Sequence, residues 1–276
     1  MFRRFPFVSW DGTQLSAGAW TTTRGPELRP LVVIHGMGEH LSRYERFAGD
    51  LETDGYQVFG FDMRGHGLSP GARGDAPGIH CHVQDVLEFL KWVTNDRRLV
   101  PDQVPVAAHS MGGLIAMLAA LDSPCWFKSL FLISPYFRPA FRPQAWRMAA
   151  ARMLNRVWPT VALDVGLKLE QFAKDRAVQL AIRDDPMSHQ KMSARMALQL
   201  IESGEKLLQT SERFHMPCVL VHGEQDTISS HAASIEFSRH QTRIEFVSLP
   251  GGYHQIHNDA GTRPQVLAAL RQLLDI

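Results

Sequence analysis

Cysteine is scarce in this chain. Three residues of 276, Cys81, Cys125 and Cys218, lie far apart and are odd in number. That excludes a disulfide framework and a C-x-x-C redox or zinc pair, and it fits a reducing compartment such as the cytoplasm. Charge of one sign is missing too. Lys and Arg number 29 against 28 Asp and Glu, a net charge of +1, so no global field draws nucleic acid. The opening residues M-F-R-R-F-P-F-V-S-W-D carry two arginines with no apolar stretch behind them, so no signal peptide is expected. The longest stretch without Asp, Glu, Lys or Arg, residues 103–121, contains Pro105, His109, Ser110, Gly112 and Gly113. A buried strand, turn and helix explain it better than a membrane span. H-E-x-x-H is absent, and His80 and His82 have no third ligand nearby, so neither metal nor cofactor is expected. No repeat or low-complexity segment stands out.

What is present is an ordinary globular balance, 45% hydrophobic and 21% charged, in a length that suits one large domain or one domain with an insertion. Short apolar runs alternate with helical patterns. Residues 7–10 and 15–20 flank D-G at 11–12 and read as a hairpin. Further strands are expected at 31–34, 58–62, 104–108, 130–133, 219–222 and 244–249. Helices are expected at 44–53, 83–94, after Met111, and at 263–274. Several strands are uniformly apolar, which implies a mostly parallel central sheet flanked by helices on both faces. Residues 136–213 show helical spacing and no convincing strand, and read as a helical cap, or lid, inserted between 1–135 and 214–276.

The most informative segment is V-P-V-A-A-H-S-M-G-G, residues 104–113. An apolar strand enters a tight turn at Ser110 and a helix follows at once. That layout is a nucleophile elbow, which pushes a serine Oγ outward within reach of substrate. Small residues two before and two after the serine let the turn close. Gly112 satisfies this, while Ala108 stands where glycine is usual. A serine nucleophile needs a base and a carboxylate, expected on later loops in the order Ser, acid, His. V-L-V-H-G-E-Q-D offers Asp226, with Glu224 as the alternative acid. V-S-L-P-G-G-Y-H-Q-I-H offers His254. His257, three residues on and expected inside a helix, is the weaker base. His80, His82, His189, His215, His231 and His240 are read as surface or capping residues. An oxyanion needs two backbone N–H donors. Met111 supplies one, and Met37, in the H-G-M-G loop, the other.

Taken together, H-G-M-G-E-H-L-S-R-Y (35–44), F-D-M-R-G-H-G-L-S (61–69), A-H-S-M-G-G (108–113), I-S-P (133–135), G-E-Q-D (223–226) and G-Y-H-Q-I-H (252–257) resemble the monoacylglycerol lipase and lysophospholipase group of α/β-hydrolases. The resemblance implies an α/β-hydrolase fold, triad roles for Ser110, Asp226 and His254, and oxyanion roles for Met37 and Met111. It puts Glu39, Arg43 and His257 near the polar alcohol end of a lipid ester; a salt bridge that only holds the loop is the alternative for Glu39 and Arg43. Asp62, Arg64 and His66 match a structural loop of these hydrolases, where hydrogen bonding rather than chemistry is expected. Ala108 looks like the lysophospholipase branch. Other enzymes share this architecture, so a serine peptidase, a carbon–carbon bond hydrolase and a non-catalytic binder of hydrophobic ligands stay open.

Within the insertion, residues 143–157 suit a helix with Trp146, Ala149, Ala150, Met153, Leu154 and Val157 on one stripe. Arg138, Arg142, Arg147, Arg152 and Arg156 accompany it without an acid. The stripe either packs on the catalytic domain or lies on an anionic membrane surface, giving peripheral attachment. Either arrangement is expected to leave an apolar tunnel above Ser110. No obligate protein partner is implied.

Overall fold

The computed structural model describes residues 1–20, 28–141, 143–210 and 214–275, with side chains at all of these except Arg147. The apolar runs become the strands β1 (Phe2–Val8), β2 (Gln14–Trp20), β3 (Arg29–Ile34), β4 (Tyr56–Phe61), β5 (Val106–His109) and β6 (Leu130–Ile133). After the insertion come β9 (Cys218–Gly223) and β10 (Ile244–Leu249). They form one eight-stranded sheet in the order β1-β2-β4-β3-β5-β6-β9-β10. Every pairing from β4 to β10 is parallel, and only the β1–β2 and β2–β4 pairings are antiparallel. The sheet begins earlier than the sequence suggests. β1 starts at Phe2 because the segment F-R-R-F-P-F-V pairs along its whole length with β2 at the edge of the sheet.

Helices α1 (Glu45–Thr53), α2 (Ile79–Asp96), α3 (Met111–Asp122), α7 (His231–Arg239) and α8 (Arg263–Leu274) cover the two faces. Two apolar clusters result, one under α2 and α3 with Phe89, Leu114 and Leu132, the other under α1 and α8 with Phe47, Phe131 and Leu270. Central strands are therefore buried on both sides, which is why β3, β5 and β9 carry no alternation.

Between β6 and β9 lie α4 (Ala145–Val157), β7 (Ala162–Asp164), α5 (Arg176–Arg183), β8 (Lys191–Ser193) and α6 (Ala194–Gln209). The expectation of a strand-free insertion is corrected. β7 and β8 pair antiparallel, but three residues each are too short to show a period. The expected end of the insertion at 213 lies outside the described residues, as does Arg142. Long α6 runs back over the sheet's helices and packs beside α2, α3 and α7. Of the α4 stripe, Leu154 alone is half-buried, and the rest does not pack inward. Trp146, Met153 and Val157 are 65%, 71% and 74% exposed, while Met148 and Ala151 face inward instead. Arg138 leaves the stripe entirely and bonds Glu205 and Glu236 at 2.9 and 3.0 Å.

Loop 62–69 bonds as expected. Asp62 accepts from Leu41 N at 2.7 Å, Leu68 N at 2.9 Å and Arg4 at 2.8 Å, and His66 Nδ1 donates to Arg64 O at 2.9 Å. Arg64 grips buried Asp85 through two bonds of 2.7 Å and reaches Asp11 at 2.6 Å. Burial pushes the Asp85 carboxyl upward against the pull of Arg64 and Ser9, so its charge relies on that guanidinium. Arg64→Met is expected to lower unfolding free energy by about 3 kcal/mol, because one buried charge is left alone. Urea denaturation measures it, and a loss under about 1 kcal/mol would mean the network is dispensable.

Candidate functional site

Four loops converge at the carboxyl ends of the parallel strands, following β3, β5, β9 and β10. In the sheet order β3 and β5 are neighbours, and β9 and β10 follow beyond β6. This edge is where parallel α/β sheets present ligand sites. Ser110 sits between β5 and α3 with φ 52° and ψ −120°, a region that a residue with a side chain rarely adopts. The ladder to β6 continues into the turn, since Ser110 N donates to Ile133 O at 3.0 Å. On the far side Ser110 O accepts from Leu114 N at 3.2 Å and Tyr136 N at 3.0 Å. A β-carbon on Gly112 would lie 2.3 Å from His35 O, so the helix can approach β3 only with glycine there. Ala108 is fully buried, and its methyl group fits.

His254 Nε2 lies 2.9 Å from Ser110 Oγ, and its Nδ1 lies 2.7 Å from Asp226 Oδ2. Asp226 Oδ1 accepts from Ile228 N at 2.8 Å and Ser229 N at 3.0 Å. Burial works to raise the Asp226 carboxyl, but His254 and His222 beside it hold it well below the carboxylate range. Burial lowers the His254 imidazole despite the opposing pull of Asp226. The arrangement leaves a neutral imidazole facing a hydroxyl, with a carboxylate behind, which suits proton abstraction. Glu224 does not join it; its carboxylate accepts from Ser248 Oγ at 2.8 Å.

Met111 follows Ser110 directly, and Met37 belongs to the loop after β3. Met111 opens α3, where N–H groups have no intrahelical acceptor. The Met37 loop comes close, because a β-carbon on Gly36 would stand 3.2 Å from Ser110 Cβ. His35 steadies this loop. Met63 N donates to its Nε2 at 3.0 Å, so Nδ1 carries the proton and donates to Gly36 O at 2.7 Å. Burial holds the His35 ring neutral, as an acceptor nitrogen requires.

Glu39 lies buried behind the loop. It accepts from Gly36 N at 3.1 Å, Tyr44 Oη at 3.3 Å, His109 Nδ1 at 3.3 Å and Gln255 Nε2. Burial alone would raise its carboxyl, yet His109, His257 and Arg43 hold it well below the usual range. Arg43 bonds Ala181 O at 3.2 Å and Asp185 at 3.4 Å, and Asp185 also meets His40 at 2.6 Å. His257 stands in a run of turns rather than a helix, since α8 begins only at Arg263. It is buried and stacks on Tyr44 at 5.4 Å. His82 is corrected as well: it is 1% exposed inside α2 rather than at the surface. His189 is half-buried, donating from its backbone to Gly38 O at 3.0 Å.

A cavity of about 380 Å³ opens beside Met37 and Glu39. Leu169, Phe172 and Ile182 contribute apolar lining, and Arg43, Asp164 and Asp185 contribute charge. The expected apolar tunnel above Ser110 is corrected: this cavity is mixed in polarity, and neither Ser110 nor His254 lines it. His35, His109, His222 and Gln255 were not singled out by the sequence; each looks like an ordinary residue in a strand or turn.

Sheet topology, elbow and loop placement define an α/β-hydrolase. The chain belongs to the family described as Serine aminopeptidase, S33, which matches residues 26–261. It is 28% identical over 256 residues to an abhydrolase domain-containing protein of Dictyostelium discoideum, covering 90% of this chain but 26% of that protein. It is 29% identical to a monoacylglycerol lipase of Mycolicibacterium smegmatis over 258 residues, 92% of this chain and 90% of that one. The solved structure of a soluble variant of monoglyceride lipase from Saccharomyces cerevisiae, in complex with a substrate analog, superposes with a TM-score of 0.84. That match has 25% identity and covers 98% of this chain and 95% of the yeast one. The protein is a monoglyceride lipase-like hydrolase.

Four donors converge on Glu39, so Glu39→Ala is expected to destabilise the fold by about 2 kcal/mol through unsatisfied buried groups. Thermal unfolding tests this, and an unchanged midpoint would leave Glu39 free for a ligand.

Proposed function

We propose that this protein is a serine esterase hydrolysing single-chain acyl esters, monoacylglycerols or lysophospholipids. The observation that carries the reading is the chain of contacts Ser110–His254–Asp226 at 2.9 and 2.7 Å. Ser110 Oγ attacks the ester carbonyl while His254 Nε2 takes its proton and Asp226 stabilises the imidazolium. The N–H groups of Met37 and Met111 receive the oxyanion. His254 then protonates the departing alcohol, and a water activated by His254 releases the fatty acid from Ser110. Side chains, backbone and water suffice for these steps. The mixed lining of the cavity beside the Met37 loop supports an amphiphile, with Arg43 and Asp185 suited to a polar alcohol end and Leu169 and Phe172 to apolar carbon.

Ser110→Ala is expected to reduce p-nitrophenyl ester turnover by at least about 10⁴-fold and to abolish fluorophosphonate labelling. Retained turnover refutes the esterase, and a native protein that never labels points to a ligand-binding role. A panel of monoacylglycerols, lysophospholipids and aminoacyl amides separates lipid esterase from peptidase. Because burial lowers His254 from its ordinary 6.5, kcat/KM should stay high through pH 6.5 and fall only below it, as the base becomes protonated.

In the same reading, residues 136–213 form a cap over the site in a cytoplasmic enzyme that meets membrane surfaces peripherally. No helix among the described residues is long and apolar enough to cross a membrane. The exposed apolar face of α4 and the exposed Arg152 and Arg156 beside it support contact with anionic lipid. The double variant Trp146→Ser, Met153→Ser should lower co-sedimentation with phosphatidylglycerol vesicles about tenfold. Equal binding by both proteins would dismiss the α4 face as the contact.

A further inference from the structure

Asp226 has a second histidine. His222, fully buried on β9, brings Nε2 within 3.1 Å of Asp226 Oδ2, the same oxygen that receives His254 at 2.7 Å. Its other nitrogen, Nδ1, lies 2.7 Å from Ser234 Oγ on α7. A carboxylate only accepts, so Nε2 carries a proton, and in the neutral ring Nδ1 accepts from the serine hydroxyl. Ser234 is itself fully buried, which holds the ring in one tautomer.

We propose that His222 is a positioning residue for the hydrolytic reaction, its Nε2–H fixing the Asp226 carboxylate and sharing the negative charge that faces His254. The inference rests on the esterase reading. Its physical content is a competition between two N–H donors for one oxygen. Each donor draws charge from the carboxylate, so the stronger the His222 bond, the less Asp226 stabilises an imidazolium at His254. His222 thereby favours the neutral base. It also fixes the carboxylate from the strand side while Ile228 N and Ser229 N fix its other oxygen.

Other groups face this string. The His231 ring on α7 stands 5.6 Å from that of His222 and, through Nε2, lies 2.8 Å from Ser248 Oγ on β10. That serine donates in turn to Glu224. His109 stands 4.8 Å from His254 on the opposite side. None of these groups bonds Asp226, so replacing His222 takes one donor from the carboxylate and leaves Ser234 Oγ as the other group that loses a partner.

The test compares His222→Leu, which removes the donor, with His222→Gln, whose amide nitrogen can occupy the place of Nε2. In His222→Leu the acid limb of kcat/KM should move upward by about half to one pH unit, and kcat should fall with KM little changed. His222→Gln should restore both most of the way. The downfield Nδ1–H resonance of His254, followed by NMR in isotope-labelled protein, should report the same shift without substrate. Should the leucine variant fail to fold, Ser234→Ala carries the test, with the same direction of shift expected. An unmoved His254 titration in the folded variants overturns the proposal. The Ser110→Ala result stands apart: if esterase turnover survives there, the function fails while the NMR titration still decides the role of His222.

Discussion

The turn at Ser110 is the constraint on which the site depends. A positive φ at a residue with a side chain costs of order 1 kcal/mol or more, and three neighbours hold it: the Ile133 carbonyl, the Tyr136 amide and the close seat of Gly112 against β3. The first two belong to the end of β6 and the third to the end of β3. The turn thus exists only when β3, β5 and β6 are already side by side, and the core supplies that order. Loop 35–39 is held in its turn by His35 and by the Glu39 carboxylate.

Much of this was legible in the chain. Uniformly apolar runs such as L-V-V-I and V-L-V-H-G announce strands buried on both faces, because a parallel sheet covered by helices has no wet side. The order Ser110, Asp226, His254 was legible because loop-after-strand placement survives any insertion between strands. His222 and His35 were not. Their roles depend on which atom lies across a loop distant in sequence, and no local period encodes that. Strands β7 and β8 were invisible for a different reason: three residues cannot display alternation.

The α4 stripe shows the limit of amphipathic patterns. Helical spacing says that one face is apolar but not what covers it, and here Met148 and Ala151 turn inward while Trp146, Met153 and Val157 turn out. The charged lining of the cavity escaped in the same way. Asp164 and Asp185 lie between β6 and β9 in sequence, and only folding brings them to the cavity that Arg43 lines, Asp185 in contact with Arg43 itself.

One consequence follows from two carbonyls. Gly36 O is held by the His35 ring, and Ser110 O by the amides of Leu114 and Tyr136. No peptide among the described residues is cis, and a planar trans peptide aims its hydrogen opposite its oxygen. Anchoring those two oxygens therefore points the amide hydrogens of Met37 and Met111 before any guest arrives. In the proposed esterase reaction, stabilising a developing negative charge there would demand no rotation of the backbone, since the dipoles are set when the chain folds.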